Sequence, residues 1–304
     1  MRFRRNNKKL LGFERKRVLT GILFLLPITL IMLVLFIIPV FQTFWLSFRD
    51  WNGISAESKF IGFNNYFSLL KSDSIRQTVF NTLELFTLGT ILINGIALAA
   101  AVALDRKGLI HTSVYKVVYF LPTVLSPVVV ALIWRAMYFT DWGVIDTVLK
   151  YVGLSSISRV WLGEPGVVMI CLIIAYVWYQ IGITLVIYLA GLQNIPVELY
   201  ESAMIDGAGR LQQFVTITLP LLAPAITINV LFVVVNALKT FDFPFALTEG
   251  GPEYFSRVVT LQIYFYAFRG IKYGLGTALS VVYTLFILLL SLVLVRILGR
   301  REEI

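Results

Sequence analysis

The chain of 304 residues is 58% hydrophobic and only 14% charged, and its mean hydropathy is +0.84, which excludes an ordinary soluble domain. One histidine and one cysteine exclude a histidine-rich metal site and an internal disulfide. A net charge of +9 would suit nucleic acid, but the densest basic cluster lies beside an apolar run. That placement favours a membrane surface, and we expect no nucleic-acid partner.

Six apolar runs follow one another along the chain, each bounded by charged residues. They occupy residues 18–48, 85–104, 117–134, 165–197, 211–238 and 273–295. About 20 apolar residues cross a bilayer, so the first, fourth and fifth runs must include loop. Because backbone groups in hydrocarbon must be hydrogen-bonded within their own segment, we predict an all-α membrane protein with six transmembrane helices. Pro122 and Pro127 predict a bend in the third of these helices.

The first 17 residues carry eight Lys or Arg against one Glu, which is typical of the cytoplasmic side of a first membrane helix. A cleaved signal peptide would also begin with basic residues, but the apolar stretch that follows is too long for one. With an even number of spans, both termini are then cytoplasmic. We predict a basic cytoplasmic N-terminus at 1–17, the first span at 18–41, an external loop at 42–77, a core of five spans at 78–300 that includes a cytoplasmic loop at 193–220, and a cytoplasmic tail at 301–304.

Residues 193–220 are a polar segment between two apolar spans, and their pattern predicts a short helix. Pro196 suits the first position of a helix, where its missing N–H costs nothing. Glu198 then lies in the first turn, where the helix dipole favours an acid. Gly207 and Gly209 are expected to end the helix about ten residues on.

The predicted helix is amphipathic, which favours a docking site for another protein. Its stripe of apolar and small residues comprises Val197, Tyr200, Met204 and Gly207, with Ala203 beside them. Its acidic face recurs every four residues at Glu198, Ser202 and Asp206. The alternative is a helix that lies on lipid, but anionic lipid would repel an acidic face without lysine. The candidate docking residues are Glu198, Tyr200, Glu201, Ser202, Ala203, Met204, Asp206 and Gly207.

One motif in this segment resembles the EAA loop of permease subunits in bacterial ABC importers. It consists of Glu201-Ser202-Ala203, Gly207 and then Ile217-x-Leu219-Pro220, with Ser202 in place of the family's middle alanine. Other motifs are similar, in order and spacing, to permeases of the carbohydrate-uptake group: Asn81-Thr82-Leu83, Leu121-Pro122, Gly191-Leu192-Gln193-x-Ile195-Pro196, Phe241-Asp242 and Leu247-Thr248-x-Gly250-Gly251-Pro252. The resemblance extends over residues 20–300, and the last motif is similar to the maltose- or glycerol-phosphate-type first permease of a pair.

This resemblance implies the type I ABC importer transmembrane fold in the bacterial inner (cytoplasmic) membrane. It also implies four kinds of partner: a homologous sister permease, two cytoplasmic ATPase subunits, an extracytoplasmic solute-binding protein and membrane lipid. The solute would be a sugar, a polyol or glycerol phosphate. ATP would bind to the ATPase subunits, because this chain has no G-x-x-x-x-G-K-[ST] motif to hold nucleotide phosphates. We therefore expect neither a cofactor nor an enzymatic activity in this chain.

Polar side chains inside the spans are candidates for a solute pathway, because they are costly in hydrocarbon. We predict a lining that comprises Asn229, Asn236, Lys239, Thr240 and Tyr283. The alternative is that the two asparagines join helices and that Lys239 extends its ammonium to the interface.

Glu84 and Arg135 lie at similar depth near the outer ends of the second and third spans, and we predict a structural ion pair between them. Glu84 also approaches what an ion-driven secondary transporter would need, but such a transporter would show inverted repeats, and none is visible. An intramembrane enzyme would need converging catalytic groups within the spans, which the sequence does not offer. A purely structural membrane protein would not need a patterned docking segment.

Overall fold

The structure, a computed structural model, describes residues 3–105 and 112–299, with side chains from residue 18 onward. Residues 106–111, the predicted tail at 301–304 and the side chains of the basic segment at 1–17 therefore lie outside the described residues. The helices are α1 (Phe3–Met32), α2 (Ile38–Leu46), α3 (Asn64–Leu70), α4 (Asp73–Leu104), α5 (Thr112–Val124), α6 (Pro127–Met137), α7 (Val144–Tyr151), α8 (Val168–Gln193), α9 (Val197–Ile205), α10 (Arg210–Gln213), α11 (Leu219–Leu221), α12 (Ala223–Lys239), α13 (Asp242–Thr248), α14 (Val259–Tyr264) and α15 (Tyr273–Gly299).

Shorter elements connect these helices. Single π-helical turns follow α1, α10 and α14 at Leu33–Ile37, Phe214–Thr218 and Phe265–Arg269, and a 3-10 turn lies at Ser155–Ile157. Strands β1 (Arg49–Asp50) and β2 (Lys59–Phe60) pair antiparallel, with Arg49 opposite Phe60.

Among the described residues, four helices are long and apolar enough to cross a membrane without a break: Val18–Leu46, Asp73–Leu104, Val168–Gln193 and Tyr273–Gly299. Two further spans are bent pairs, α5 with α6 at 101° and α10–α11 with α12 at 69°. With each pair taken as one span, the structure has the six membrane helices that the sequence predicts. Pro127 occupies the first turn of α6, so the predicted bend in the third span is present.

Helix α8 is the centre of the fold. It is apolar on all sides, as expected of a helix surrounded by others, and it packs against α4, α5 and α12. Gly182 lies where α5 crosses α8, and a β-carbon there would be only 2.5 Å from the carbonyl oxygen of Tyr119. Thr123 next to the bend donates a hydrogen bond to the carbonyl of Tyr179 at 2.9 Å. Gly182 and the hydroxyl of Thr123 thus allow the bent third span to pack closely against α8.

The first span has a different environment from the other five. Every side chain from residue 18 to residue 42 is exposed, and the span contacts the rest of the chain through α2, which packs on α15. This apolar surface is suited to lipid or to another membrane helix.

The segment predicted as an external loop at 42–77 is a folded unit, because α2 extends to Leu46 and α4 begins at Asp73. The amide of Asn65 in α3 donates to the carbonyls of Ser47 and Arg49, both at 2.9 Å. The N–H of Gly274 donates to the carbonyl of Trp51 at 2.9 Å. These bonds join the end of the first span to the start of the sixth.

Candidate partner-docking site and polar groups of the spans

Helix α9 has the ends that the sequence predicts. Pro196 precedes its first residue with an extended backbone, and Gly207 follows the last turn with a φ of +79°, a conformation that favours glycine. The N–H of Ala208 donates to the carbonyl of Ala203 at 2.8 Å, and the N–H of Gly207 donates to the carbonyl of Met204 at 3.1 Å. This pair of bonds is the Schellman arrangement, which fixes the end of the helix.

The predicted docking residues divide between two sides of α9. Tyr200 and Ala203 are half-buried, and the hydroxyls of Tyr200 and Thr218 are hydrogen-bonded at 2.9 Å. These residues therefore face the membrane helices of the chain itself. The others are exposed and available to a partner: Glu198, Glu201, Ser202, Met204, Asp206 and Gly207.

The exposed side of α9 also has apolar residues that the sequence prediction missed. Ile205 is 87% exposed, and Leu211 just beyond the helix is 77% exposed. A contiguous exposed apolar patch with a polar border is typical of a protein-binding surface. Within the described residues, the carboxylates of Glu198, Glu201 and Asp206 form no ion pair. In the sequence, the signal for this apolar surface is Ile205 at the end of an otherwise polar helix.

The two spans that flank α9 are in close contact at its base. A β-carbon on Gly191, near the end of α8, would lie 2.8 Å from the Ala225 β-carbon and 3.0 Å from the Leu222 side chain. The Gln213 amide donates to the carbonyl of Ala208 at 2.8 Å and so holds the turn after α9 against α10. The segments before and after α9 are thus both held in close contact with their neighbours.

Two of the predicted pathway residues are instead contacts between helices. Asn229 is fully buried, and its amide donates to the carbonyl of Thr184 on α8 at 3.2 Å. Tyr283 is buried, and its hydroxyl donates to the carbonyl of Leu238 on α12 at 2.6 Å. In this structure both side chains face neighbouring helices, and their assignment to a solute pathway stays a prediction. The alternative interpretation of Asn229 as a residue that joins helices is the one that the structure supports.

The other three pathway candidates lie at the C-terminal end of α12. Asn236 is half-buried and its amide donates to the carbonyl of Phe232 in its own helix at 2.8 Å. Lys239 is exposed, and the carbonyl of the half-buried Thr240 accepts a hydrogen bond from Thr260 at 2.5 Å. Their assignment to a solute pathway stays a prediction.

A cavity of about 650 Å³ lies at the other end of α12, near α9. Its wall is largely apolar, with contributions from α4, α8, α11, α12 and the end of α15. Asn94, Tyr188 and Thr227 are its polar residues, and the Tyr188 hydroxyl donates to the Asn94 side-chain oxygen at 2.7 Å. The sequence prediction included none of these three residues, although Asn94 is a polar side chain within the second span.

The predicted ion pair between Glu84 and Arg135 is absent, which corrects that prediction. Among the described residues, ion pairs join Lys150 to Asp141 and Arg159 to Glu164. The reason is the 101° bend, which directs α6 toward α13, while α4 packs mainly on α8 and α12. Arg135 is exposed on the redirected helix, and Glu84 is half-buried on α4.

The Asn-Thr-Leu and Gly-Gly-Pro motifs meet in the N-terminal part of α4. The amide of Asn81 donates to the carbonyls of Tyr254 at 2.6 Å and Arg257 at 3.0 Å. The hydroxyl of Thr82 accepts a hydrogen bond from the N–H of Val259 at 2.9 Å. The guanidinium of Arg257 lies 4.0 Å from the Phe265 ring centroid, within range of a cation–π contact. These contacts fix the loop after Pro252 against α4.

Permease proteins of ABC transporters are similar in sequence to nearly the whole of this chain. The probable ABC transporter permease protein YurN of Bacillus subtilis is 33% identical over 271 residues, which are 89% of this chain and 92% of that protein. The trehalose/maltose transport system permease protein MalF of Thermococcus litoralis is 32% identical over 275 residues, 90% of this chain and 91% of its own length.

The fold also matches a solved structure. A chain from a bacterial ABC transporter involved in the import of the acidic polysaccharide alginate aligns with a TM-score of 0.80 over 95% of this chain and 98% of that one, at 24% identity. The fold is therefore that of the transmembrane subunit of an ABC importer. The model of the binding-protein-dependent transport system inner membrane component matches residues 77–303, and this chain belongs to that family, as a multi-pass ABC transporter permease of the inner membrane.

Proposed function

We propose that this permease is one of two homologous subunits that form the pore of an importer for a sugar or a related polyol or glycerol-phosphate solute. Relatives that are named as permeases for trehalose/maltose, diacetylchitobiose and multiple sugars support this substrate class, at 30–32% identity. The proposal specifies this class of solute and no individual compound. An extracytoplasmic binding protein would deliver the solute, and a sister permease would complete the pore.

The observation that carries the proposal is the construction of α9. It is a short helix with fixed ends, tied to the membrane core by Tyr200 and exposing acids and Ile205 on its other side. Such a surface fits a protein partner with a complementary apolar pocket and basic or hydrogen-bonding groups. A cytoplasmic ATPase that moves α9 would act directly on α8 and the fifth span.

Coupling of this kind gives the ATPase subunits and this chain different roles. We infer that ATP is bound and hydrolysed by the ATPase partners and that this chain converts their movement into a change of access across the membrane. Two arrangements of the helix pairs would alternate, and docking at α9 would bias the equilibrium between them. This chain then acts as a transporter subunit and not as an enzyme.

The test is reconstitution of the assembled transporter, purified through a tag on this chain, in proteoliposomes. We expect uptake of labelled oligosaccharides that requires ATP on the α9 side and the binding protein on the other side. Uptake by this chain alone on an ion gradient would contradict the proposal and favour a secondary transporter.

A crosslinking experiment tests the docking surface separately. In a Cys171→Ala background, a cysteine at Glu201 should crosslink to the ATPase, while a cysteine at Glu57, which is exposed on the β1–β2 loop, should not. Absence of an ATPase crosslink at position 201 in an active complex would refute the assignment of α9.

A further inference from the structure

Helix α3 has three distinct faces, although it is only seven residues long. Successive residues of an α-helix are rotated by about 100°. Asn65 and Leu69 are buried against the protein, and Asn64 and Ser68 are exposed polar residues on a second side. The third side carries the large apolar residues Phe67 and Leu70, and Phe63, which directly precedes the helix, adds to it.

This apolar face is almost uncovered. Phe63 is 63% exposed, Phe67 is 59% exposed and Leu70 is 85% exposed, and Phe60 on strand β2 adds a fourth large side chain at 62%. A three-sided helix with protein, water and an apolar phase on its three faces is typical of the boundary between a membrane and water.

The apolar face continues directly from the lipid-facing surface of the first span. The ring centroids of Phe44 and Phe48 are 5.2 Å apart, and those of Phe48 and Phe63 are 5.3 Å apart. Phe44 belongs to the span and is itself exposed. The contact chain therefore leads from the membrane helix to α3 without a polar interruption.

Charged residues border this surface in the manner of an interface with lipid headgroups. Lys59 directly precedes Phe60, Lys71 directly follows Leu70, and both are exposed. Arg49 stacks its guanidinium 4.9 Å from the ring centroid of Trp45 at the end of the first span. Trp, Lys and Arg at the end of a span are the residues that anchor it at headgroup depth.

The direction of the membrane helices also defines at which of their two ends α3 lies. Helix α3 directly precedes α4. Helix α8 runs in the same direction as α4, because Gly89 lies beside Tyr176, with 4.0 Å from a β-carbon added there to the Tyr176 ring, and Asn94 bonds Tyr188 further along both helices. Helix α9 follows the end of α8, so α3 and α9 lie at opposite ends of the membrane helices.

We propose that α3 and strand β2 form an interfacial lipid-binding surface in the leaflet opposite α9. Phe60, Phe63, Phe67 and Leu70 enter the acyl-chain boundary, and Lys59 and Lys71 bind anionic headgroups. Lipid is the occupant that fits, because the surface is continuous with a lipid-facing span and carries basic residues at its border. The surface holds the junction between the first and sixth spans at a fixed depth.

The test measures depth with spin labels on the full chain in nanodiscs. In a Cys171→Ala background, a nitroxide is attached at Phe67→Cys, with Ser68→Cys as the matched control on the water-facing side. We expect the label at position 67 to have a several-fold higher ratio of oxygen to nickel-chelate accessibility than the label at position 68. Leu70→Cys gives a second lipid-facing position if substitution of Phe67 impairs folding.

Two further measurements decide whether lipid or a protein partner covers this surface. Adding phosphatidylglycerol to phosphatidylcholine nanodiscs should deepen the label at position 67, and Lys59→Gln with Lys71→Gln should abolish that shift. Equal accessibility at positions 67 and 68, or no response to phosphatidylglycerol, would overturn the proposal. Protection from both reagents on assembly with the other subunits would instead assign the surface to a protein partner and refute lipid binding.

Discussion

The hydroxyls of Tyr200 on α9 and Thr218 in the π-helical turn before α11 are 2.9 Å apart. This hydrogen bond spans the loop between the fourth and fifth membrane helices. Thr218 is buried, so the bond lies on the membrane side of α9 and leaves the exposed side free. Tyr200 thus positions α9 against the membrane helices, although the sequence predicts it as a docking residue.

Removal of this bond should weaken coupling without preventing assembly. Tyr200→Phe deletes one hydroxyl and should cost about 1 kcal/mol, the usual net worth of a hydrogen bond. We expect ATP hydrolysis by the reconstituted transporter to persist while the solute transported per ATP falls. Tyr151→Phe, at an exposed position on α7, is the matched control. An unchanged transport-to-hydrolysis ratio would show that the bond has no role in coupling.

Ile205 should contribute more to ATPase binding than any of the acids. Its side chain is 87% exposed, and burial of an isoleucine at an interface is worth roughly 2 kcal/mol. Ile205→Ser should therefore reduce recovery of the ATPase when the complex is purified through this chain, with normal membrane expression. Ile54→Ser, at a 79% exposed position on the β1–β2 loop, should have no effect on recovery. Equal recovery with both variants would place the ATPase contact elsewhere.

The polar anchor at Asn81 should stabilise the loop between α13 and α14. Asn81→Leu removes the amide that binds the Tyr254 and Arg257 carbonyls, and loss of two such bonds should cost about 2–3 kcal/mol. We expect a lower unfolding temperature in detergent and faster proteolysis after Pro252. Asn64→Leu, at an exposed position on α3, controls for added hydrophobicity. Stability equal to that of the control would mean that the loop is held by other contacts.

Asp146 should make the segment between α6 and α8 sensitive to acid. Hydrogen bonds from Ser158 and Trp161, aided by the N–H of Asp141 and the charge of Lys150, hold the pKa of the Asp146 carboxyl below its usual value. A depressed pKa contributes stability that is complete above the unfolded value, about 4 for Asp, and is lost as the pH falls through the folded value.

The matching experiment compares unfolding temperatures of the parent and of Asp146→Asn between neutral pH and pH values below about 4. The parent should lose stability more steeply than the variant in the acid part of this range. Parallel curves for the two proteins would contradict the assignment.

Local backbone chemistry explains what the sequence predicts well. Pro196 and Gly207 determine the ends of α9 because proline fixes φ and glycine permits a positive φ, so both ends are predictable without knowledge of the fold. The spans are predictable because length and hydropathy suffice. Helix α3 was missed because seven residues give too short a period to distinguish from a loop.

The predictions about contacts between residues depend on how the helices are oriented relative to one another. Pro127 predicts a bend, but nothing local fixes it at 101°, and the ion pair between Glu84 and Arg135 depends on that angle. Asn229 is polar in either environment, and only the adjacent carbonyl of Thr184 shows that it joins helices. Sequence thus indicates that a polar group in a span has a role, while packing decides which role.

Gly182 should be intolerant of any side chain. A β-carbon there would meet the Tyr119 carbonyl at 2.5 Å and the Thr123 hydroxyl at 2.6 Å, which would force the bent third span away from α8. Overpacking of this kind costs about 1–3 kcal/mol, so Gly182→Val should lower the unfolding temperature. It should also break the Thr123 bond to the carbonyl of Tyr179, which makes a protease-sensitive bend a second readout. Gly95→Val, at an exposed glycine of α4 with no atom within 4 Å of the added β-carbon, tests whether valine in a membrane helix is itself harmful. Equal stability of the two variants would mean that α5 and α8 can separate freely, and the close crossing at Gly182 would then have no role in holding the bend.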